Sequence, residues 1–295
     1  MVKLSLNKNG TQQGFCVRRA EVQNSTAVFQ LNISNKTSFC ASISRPNAKP
    51  RNVIRDFTPT PIHMNEKLQE IYNSKWNELS DGLNEILKDN SKENKPTNPL
   101  LLYINEDDYK NADIKIMIFG QETNDWEGNF QNDINICLDT YDDFFNANDC
   151  FSYGGQFWNG FNRFLTLLQN EFPNKKISSV WNNVIKIGNS GRDKNYPPEY
   201  IYNIENEKFK VISSEIEILR PDIILFLSGP NYDIELKNSL NEAVFSQLSE
   251  DFTERKLAKI KYKNYKNVFR TYHPNYLWRN GIDTYFNEII KKIEI

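Results

Sequence analysis

Cysteine is scarce and poorly placed for metal chemistry. The four thiols, Cys16, Cys40, Cys137 and Cys150, include no pair at short spacing, so neither a zinc site nor an iron–sulfur cluster is indicated. We expect no metal and no organic cofactor. Histidine is scarcer still, with only His63 and His273, so any histidine chemistry has two candidates. No stretch approaches the ~18 apolar residues of a membrane span, and the N-terminus lacks the apolar segment of a secretory signal. The expectation is an intracellular, cytoplasmic protein that makes no use of a membrane. A Gly-x-Ser-x-Gly turn is also missing, which argues against a serine hydrolase of the nucleophile-elbow type.

A strong charge of either sign is absent as well. The formal net charge is −2, so no global basic field advertises nucleic acid, although phosphate contacts need only local Lys and Arg. Such a local run exists from Arg255 to Arg270, where Lys256, Lys259, Lys261, Lys263 and Lys266 also fall and no acid interrupts. It reads either as the solvated face of a β-hairpin or as a phosphate-binding surface next to His273.

What is present is a regular alternation of elements. Residues 1–63 are rich in Ser, Asn, Thr and Pro and show no periodic apolar face, so a flexible leader is expected there. Met64 opens a run in which Leu68, Ile71, Tyr72, Trp76, Leu79, Leu83, Ile86 and Leu87 recur at three- and four-residue spacing, the pattern of an amphipathic helix. A folded domain is expected over residues 64–295. Within it we expect strands at Ile114–Phe119, Ser178–Ile187, Asp222–Ser228 and Asn267–Tyr272. Helices are expected at Gly155–Phe172, Phe209–Leu219, Ile234–Leu248 and Thr284–Ile293, with a hairpin at Lys256–Tyr265. A long Asn- and Asp-rich loop spans Asn124–Asn148. Strands alternating with helices predict an α/β fold with a central, mainly parallel sheet in a three-layer α/β/α arrangement, as a single-domain monomer.

Four of the strands run into polar loops: Ile114–Gly120 into Gln121-Glu122, Ser178–Trp181 into Asn182-Asn183, Ile223–Ser228 into Gly229-Pro230-Asn231, and Val268–Tyr272 into His273-Pro274-Asn275. In an open α/β sheet these loops share the crevice beyond the carboxyl ends of the strands. The segments Gly120-Gln121-Glu122, Phe151-Ser152, Val180-Trp181-Asn182-Asn183-Val184 and His273-Pro274-Asn275-Tyr276-Leu277 resemble, in order, four motifs of the uracil-DNA glycosylase superfamily. The resemblance covers roughly residues 100 to 295 and rests on the four together.

It implies a glycosylase fold and a DNA partner. It also implies hydrolysis of the N-glycosidic bond of a flipped uracil or C5-modified pyrimidine, in base-excision repair or in defence against modified foreign DNA. Glu122 would orient the attacking water, and His273 would donate to the base oxygen where negative charge collects. Gln121, Phe151, Asn182 or Asn183, Asn275 and Leu277 would hold the base and its vacated place in the duplex, with Phe151 stacking, an Asn reading the base edge and Leu277 acting as the wedge. Lys261, Lys263, Arg270 and Arg279 would hold phosphates. Two departures count: Glu122 replaces the family's Asp, and Asn124 stands where the uracil-specific branch carries a Tyr that crowds the pyrimidine C5 position. A substituent at C5 would then be admitted. The competing readings are a non-catalytic nucleic-acid-binding module and a hydrolase of another α/β family.

Overall fold

The computed structural model describes residues 63–124, 126–190 and 196–295; of the leader expected over residues 1–63, all but His63 lies outside them, with Cys16 and Cys40, and His63 belongs to the folded domain as a helix cap. Helix α1 (Met64–Lys88) starts at His63, whose backbone N–H is capped by the Glu66 carboxylate at 3.1 Å. Leu68, Tyr72, Leu79 and Leu83 on its apolar stripe are fully buried, as their spacing requires. Further along come α2 (Glu106–Lys110), β1 (Ile114–Glu122), α3 (Ile134–Tyr141), a π-helical turn (Asp142–Asn146), α4 (Asp149–Tyr153), α5 (Gly155–Glu171) and β2 (Ile177–Ile185). The second half holds α6 (Glu199–Lys208), α7 (Ile212–Leu219), β3 (Ile223–Phe226), α8 (Asp233–Ser239), β4 (Val244–Gln247), β5 (Leu257–Lys261), β6 (Asn267–Thr271), α9 (Pro274–Arg279) and α10 (Ile282–Ile290).

The six strands form one mixed sheet in the order β2-β1-β3-β6-β5-β4. Its first four strands run parallel, and β5 runs antiparallel to both of its neighbours, β6 and β4. The parallel centre is buried on both faces, since Ile116, Met117, Ile118 and Phe119 of β1 and Ile223 to Phe226 of β3 exclude solvent completely. That explains why these strands read as unbroken apolar runs. The fold is thus α/β with a mostly parallel sheet. Among the described residues no helix is long and apolar enough to cross a membrane.

Two expectations change, and one helix comes where none was named. The Asn124–Asn148 segment is not a plain loop: α3 and the π-helical turn occupy its second half, with Cys137, Leu138, Tyr141 and Phe145 packed inward. The helix expected over Ile234–Leu248 ends at Ser239. Glu242 adopts a left-handed backbone (φ 67°), which a helix interior does not tolerate, and Val244–Gln247 becomes an edge strand paired to β5. The polar stretch after Pro198 is helical as α6. Glu205 on α6 is buried and accepts the Lys186 and Ile187 backbone N–H groups, both at 2.8 Å.

Candidate active site

Strand register sets the site. Gly120 on β1 lies beside Asn183 on β2, and a Cβ at Gly120 would come within 2.5 Å of Asn183 Oδ1 and 3.2 Å of the Phe157 ring. Glycine is needed there because the carboxamide and the ring close over it. Glu122, two residues further on, points to the same side of the sheet by strand alternation. Gly160 of α5 performs a similar service for the last loop, since a Cβ there would meet the Pro274 ring at 2.5 Å. The close approach of α5 and α9 fixes the backbone that carries His273.

Beyond the ends of β1, β2 and β6 opens a cavity of about 920 Å³, lined by Glu122, Asn183, His273, Gln121 and Asn275 together with the aromatic residues Trp126, Phe144, Phe157, Trp158 and Trp181. Gln121 is anchored by its Nε2, which donates to Ser228 O at 2.8 Å. Asn183 is almost wholly buried; its Oδ1 accepts from Trp181 Nε1 and its Nδ2 donates to Thr123 Oγ1, both at 3.2 Å. A carboxamide has two donors and two acceptor sites, so one of each stays free for a ligand.

The imidazole of His273 stacks on Phe157 with centroids 5.9 Å apart and planes at 19°. Its Nδ1 accepts the Asn275 backbone N–H at 3.2 Å, which puts the proton of the neutral ring on Nε2. Burial drives its pKa down to about 4, so at neutral pH it is a neutral Nε2–H donor. Glu122 accepts a hydrogen bond from the Tyr232 hydroxyl, yet burial outweighs that bond and holds its carboxyl above the ordinary glutamate range.

Several expected site residues lie elsewhere. Asn182 alternates to the opposite face of β2 from Asn183 and is fully buried: its Nδ2 donates to Glu215 Oε2 at 2.9 Å and its Oδ1 accepts from Lys186 Nζ at 2.8 Å. Lys186 also meets Glu215 Oε1 at 2.9 Å, and Tyr72 donates to that same oxygen at 2.7 Å. A one-residue shift on a strand exchanges faces, and the cavity takes Asn183.

Phe151 packs on Trp158 and Phe161 away from the cavity; the ring beside His273 is Phe157. Leu277 is fully buried because α9 turns it inward with Pro274, one helical turn apart. Tyr153 (78% exposed) lines the cavity, and Trp278 (40% exposed), which does not, is tied to it through Nε1, which donates at 3.4 Å to O of the lining residue Gln156. Arg270 is fully buried in a two-pronged pair with Asp233, both bonds at 2.9 Å. It braces β6 and has no access to phosphate.

The basic run is divided by its geometry. Leu257 pairs with Thr271 and Lys259 with Phe269, so β5 runs away from the cavity and carries Lys261 to the opposite end of the strands. Lys263 lies beyond it, paired with Glu217 of α7. Arg255, at the start of the run, stays near the cavity. With Arg279, Asn231 and Tyr276 it lines a notch of about 230 Å³ that shares Gln121, His273 and Asn275 with the main cavity.

Two of the residues missed from sequence had a local signal: Phe144 falls at i+7 from Cys137 and i+3 from Tyr141, on one helical stripe, and Phe157 follows Gly154-Gly155 at a helix start. Tyr232 gave no such signal. Among the described residues no group of three or more His, Cys, Asp or Glu is arranged to hold a metal ion. Compared with known proteins, the chain matches no protein-family model and no curated protein.

Proposed function

We propose that this protein is a DNA glycosylase that hydrolyses the N-glycosidic bond of a flipped pyrimidine, uracil or a base modified at C5. The observation that carries the reading is the meeting of Glu122, Asn183 and a neutral His273 around one cavity at the carboxyl ends of parallel strands. The fold is compatible with the three-layer arrangement of the uracil-DNA glycosylases. Flipping is required because a base inside the stack cannot reach such a pocket.

In this scheme the base enters between Phe157 and the carboxamide of Asn183, which offers its free donor and acceptor to the base edge. The bond from C1′ to the base nitrogen breaks with its electron pair leaving on the base. His273 Nε2–H donates to the oxygen where that charge gathers, a role worth roughly 3–4 kcal/mol for comparable donors. Glu122 orients a water whose oxygen bonds to C1′ and accepts the proton released. Tyr232 steadies the carboxylate. DNA phosphates stay outside, at Arg255 and Arg279, since the cavity itself is lined by Glu122, Glu127, Asp139, Asp143 and Asp149 and by no Lys or Arg among the described residues.

Oligonucleotides carrying uracil, mismatched thymine, 5-hydroxymethylcytosine or its glucosylated form, treated with protein and then hot alkali, test the reading through strand breaks at abasic sites. We expect breaks on at least one of them, and a loss of at least about a hundredfold for His273→Ala and for Glu122→Gln with DNA binding within a few fold. DNA binding without abasic sites on any of them would favour a non-catalytic binding module.

A further inference from the structure

A pyrimidine is a single flat ring, whereas the cavity of about 920 Å³ lies near the top of the range of roughly 300–1,000 Å³ that accommodates drug-sized ligands. Glu122, Asn183 and His273 occupy its inner end. The remainder is built by the helical insert after β1, where Asp139 and Asp143 fall four residues apart across the α3–π-turn junction and Asp149 opens α4. These three carboxylates are solvent-exposed acceptors. Between them stand aromatic faces, with Trp126 and Phe144 edge to face at 5.5 Å.

A second observation narrows the ligand. Trp126 is 8% exposed and its indole N–H has no hydrogen-bond partner. A buried donor left without an acceptor is costly and rare in a folded protein; the nitrogen is closed to solvent, so an oxygen of a ligand in the cavity that Trp126 lines would meet it as the indole turns toward the ligand. Carboxylates alone would suit an ammonium group, but an ammonium accepts nothing from an indole. A phosphate or carboxylate would face like charge. A hydroxyl both donates to carboxylates and accepts from Trp126, and the apolar face of a hydroxylated ring packs on aromatic walls.

Resting on the glycosylase reading above, we propose that the outer part of this cavity is a subsite for a hydroxyl-rich substituent of about hexose size on the excised base. The test pairs excision with binding. Oligonucleotides are prepared in which the same pyrimidine is bare, hydroxymethylated, hexosylated on that hydroxymethyl, or aminoalkylated. Calorimetry is run in parallel on the four corresponding free nucleosides, which needs no chemistry.

We expect kcat/KM for the hexosylated base to exceed that for the hydroxymethylated base by about tenfold or more. That ratio should fall about tenfold in Trp126→Phe and in the exposed-site variant Asp143→Asn, each checked for an unchanged thermal transition. Equal excision of all four bases would overturn the subsite and leave the glycosylase reading standing. No excision of any base, with tighter binding of the hexosylated nucleoside, would overturn the glycosylase reading and leave the subsite standing. No preference for that nucleoside either would remove both. A preference for the aminoalkyl base would overturn the hydroxyl assignment.

Discussion

Asn182 and Asn183 are neighbours of identical chemistry, and the structure gives them separate work. Asn182→Ala should destabilise the protein while Asn183→Ala should chiefly lower excision. Inside the core the Asn182 side chain bonds to Glu215 at 2.9 Å, Lys186 at 2.8 Å and the Asn183 backbone N–H at 2.8 Å, with a weak fourth bond from Nδ2 to Met117 Sδ at 3.9 Å. Two of these involve charged partners, worth roughly 1.5–3 kcal/mol each, and truncation leaves both charges short of a partner where no water can substitute. A net loss of about 3–5 kcal/mol follows, and for a domain of this size about 2–4 °C of Tm accompanies each kcal/mol. The midpoint should therefore drop by about 10 °C.

Asn183 bonds only to neutral groups, Trp181 and Thr123, so its truncation should cost about 1–2 kcal/mol of stability. Its loss of base contacts should lower kcat/KM at least about tenfold. Urea unfolding of both variants, with excision measured at a temperature where each is folded, separates the two effects. An Asn182→Ala protein as stable as wild type would refute the buried-network account. An Asn183→Ala protein with full activity would refute the assignment of the base-reading carboxamide.

Other expectations follow from the same geometry. Arg255→Gln with Arg279→Gln should reduce the slope of log affinity for DNA against log salt by about 2, whereas Lys261→Glu with Lys263→Glu should leave it nearly unchanged, because only the former pair adjoins the cavity; salt titrations of binding decide between them. Excision should decline as pH falls through the raised pKa of Glu122, above its ordinary 4.5, with His273 neutral down to about 4, and Glu122→Gln should abolish that acid limb in a pH–rate profile. The unfolded chain binds a proton at His273 near pH 6.5 and the folded chain only near 4. Stability from the neutral ring is therefore fully present above 6.5 and disappears as pH falls to 4, by about 3 kcal/mol. His273→Gln should flatten that part of the urea-midpoint curve.

The sequence disclosed the strands more readily than the residues at their ends. Ile116–Phe119 and Ile223–Phe226 are buried on both faces, so composition alone marks them. The amphipathic stripe of α1 was equally plain. What periodicity could not supply was phase: Asn182 and Asn183 differ only in which face of β2 they take, and the preceding residues Val180 and Trp181 are both buried. Leu277 and Arg270 were misassigned for a related reason. Their residue types suit DNA contact, but α9 turns the leucine inward, and Asp233, 37 positions earlier, captures the guanidinium. No local pattern reports a partner that distant.

The separation of charge around the site has a consequence for how a duplex would sit. The acidic chamber repels phosphate, and the notch with Arg255 and Arg279 attracts it; the two share Gln121, His273 and Asn275 as a common wall. On the proposed reading, a nucleotide rotated out of the duplex places its base in the first and keeps its phosphate at the second. Tyr153 lines the cavity and Trp278 is tied to the lining residue Gln156; both are exposed, and an aromatic face so placed can cover the gap left in the stack. On the proposed glycosylase reading that would account for the buried Leu277, because the filling role passes from an aliphatic tip to an aromatic side chain nearby. Trp278→Ala should accordingly weaken binding to a duplex containing an abasic site by several fold more than binding to an intact duplex. Equal weakening of both would remove Trp278 from the flipping step and leave Tyr153 as the residue to change.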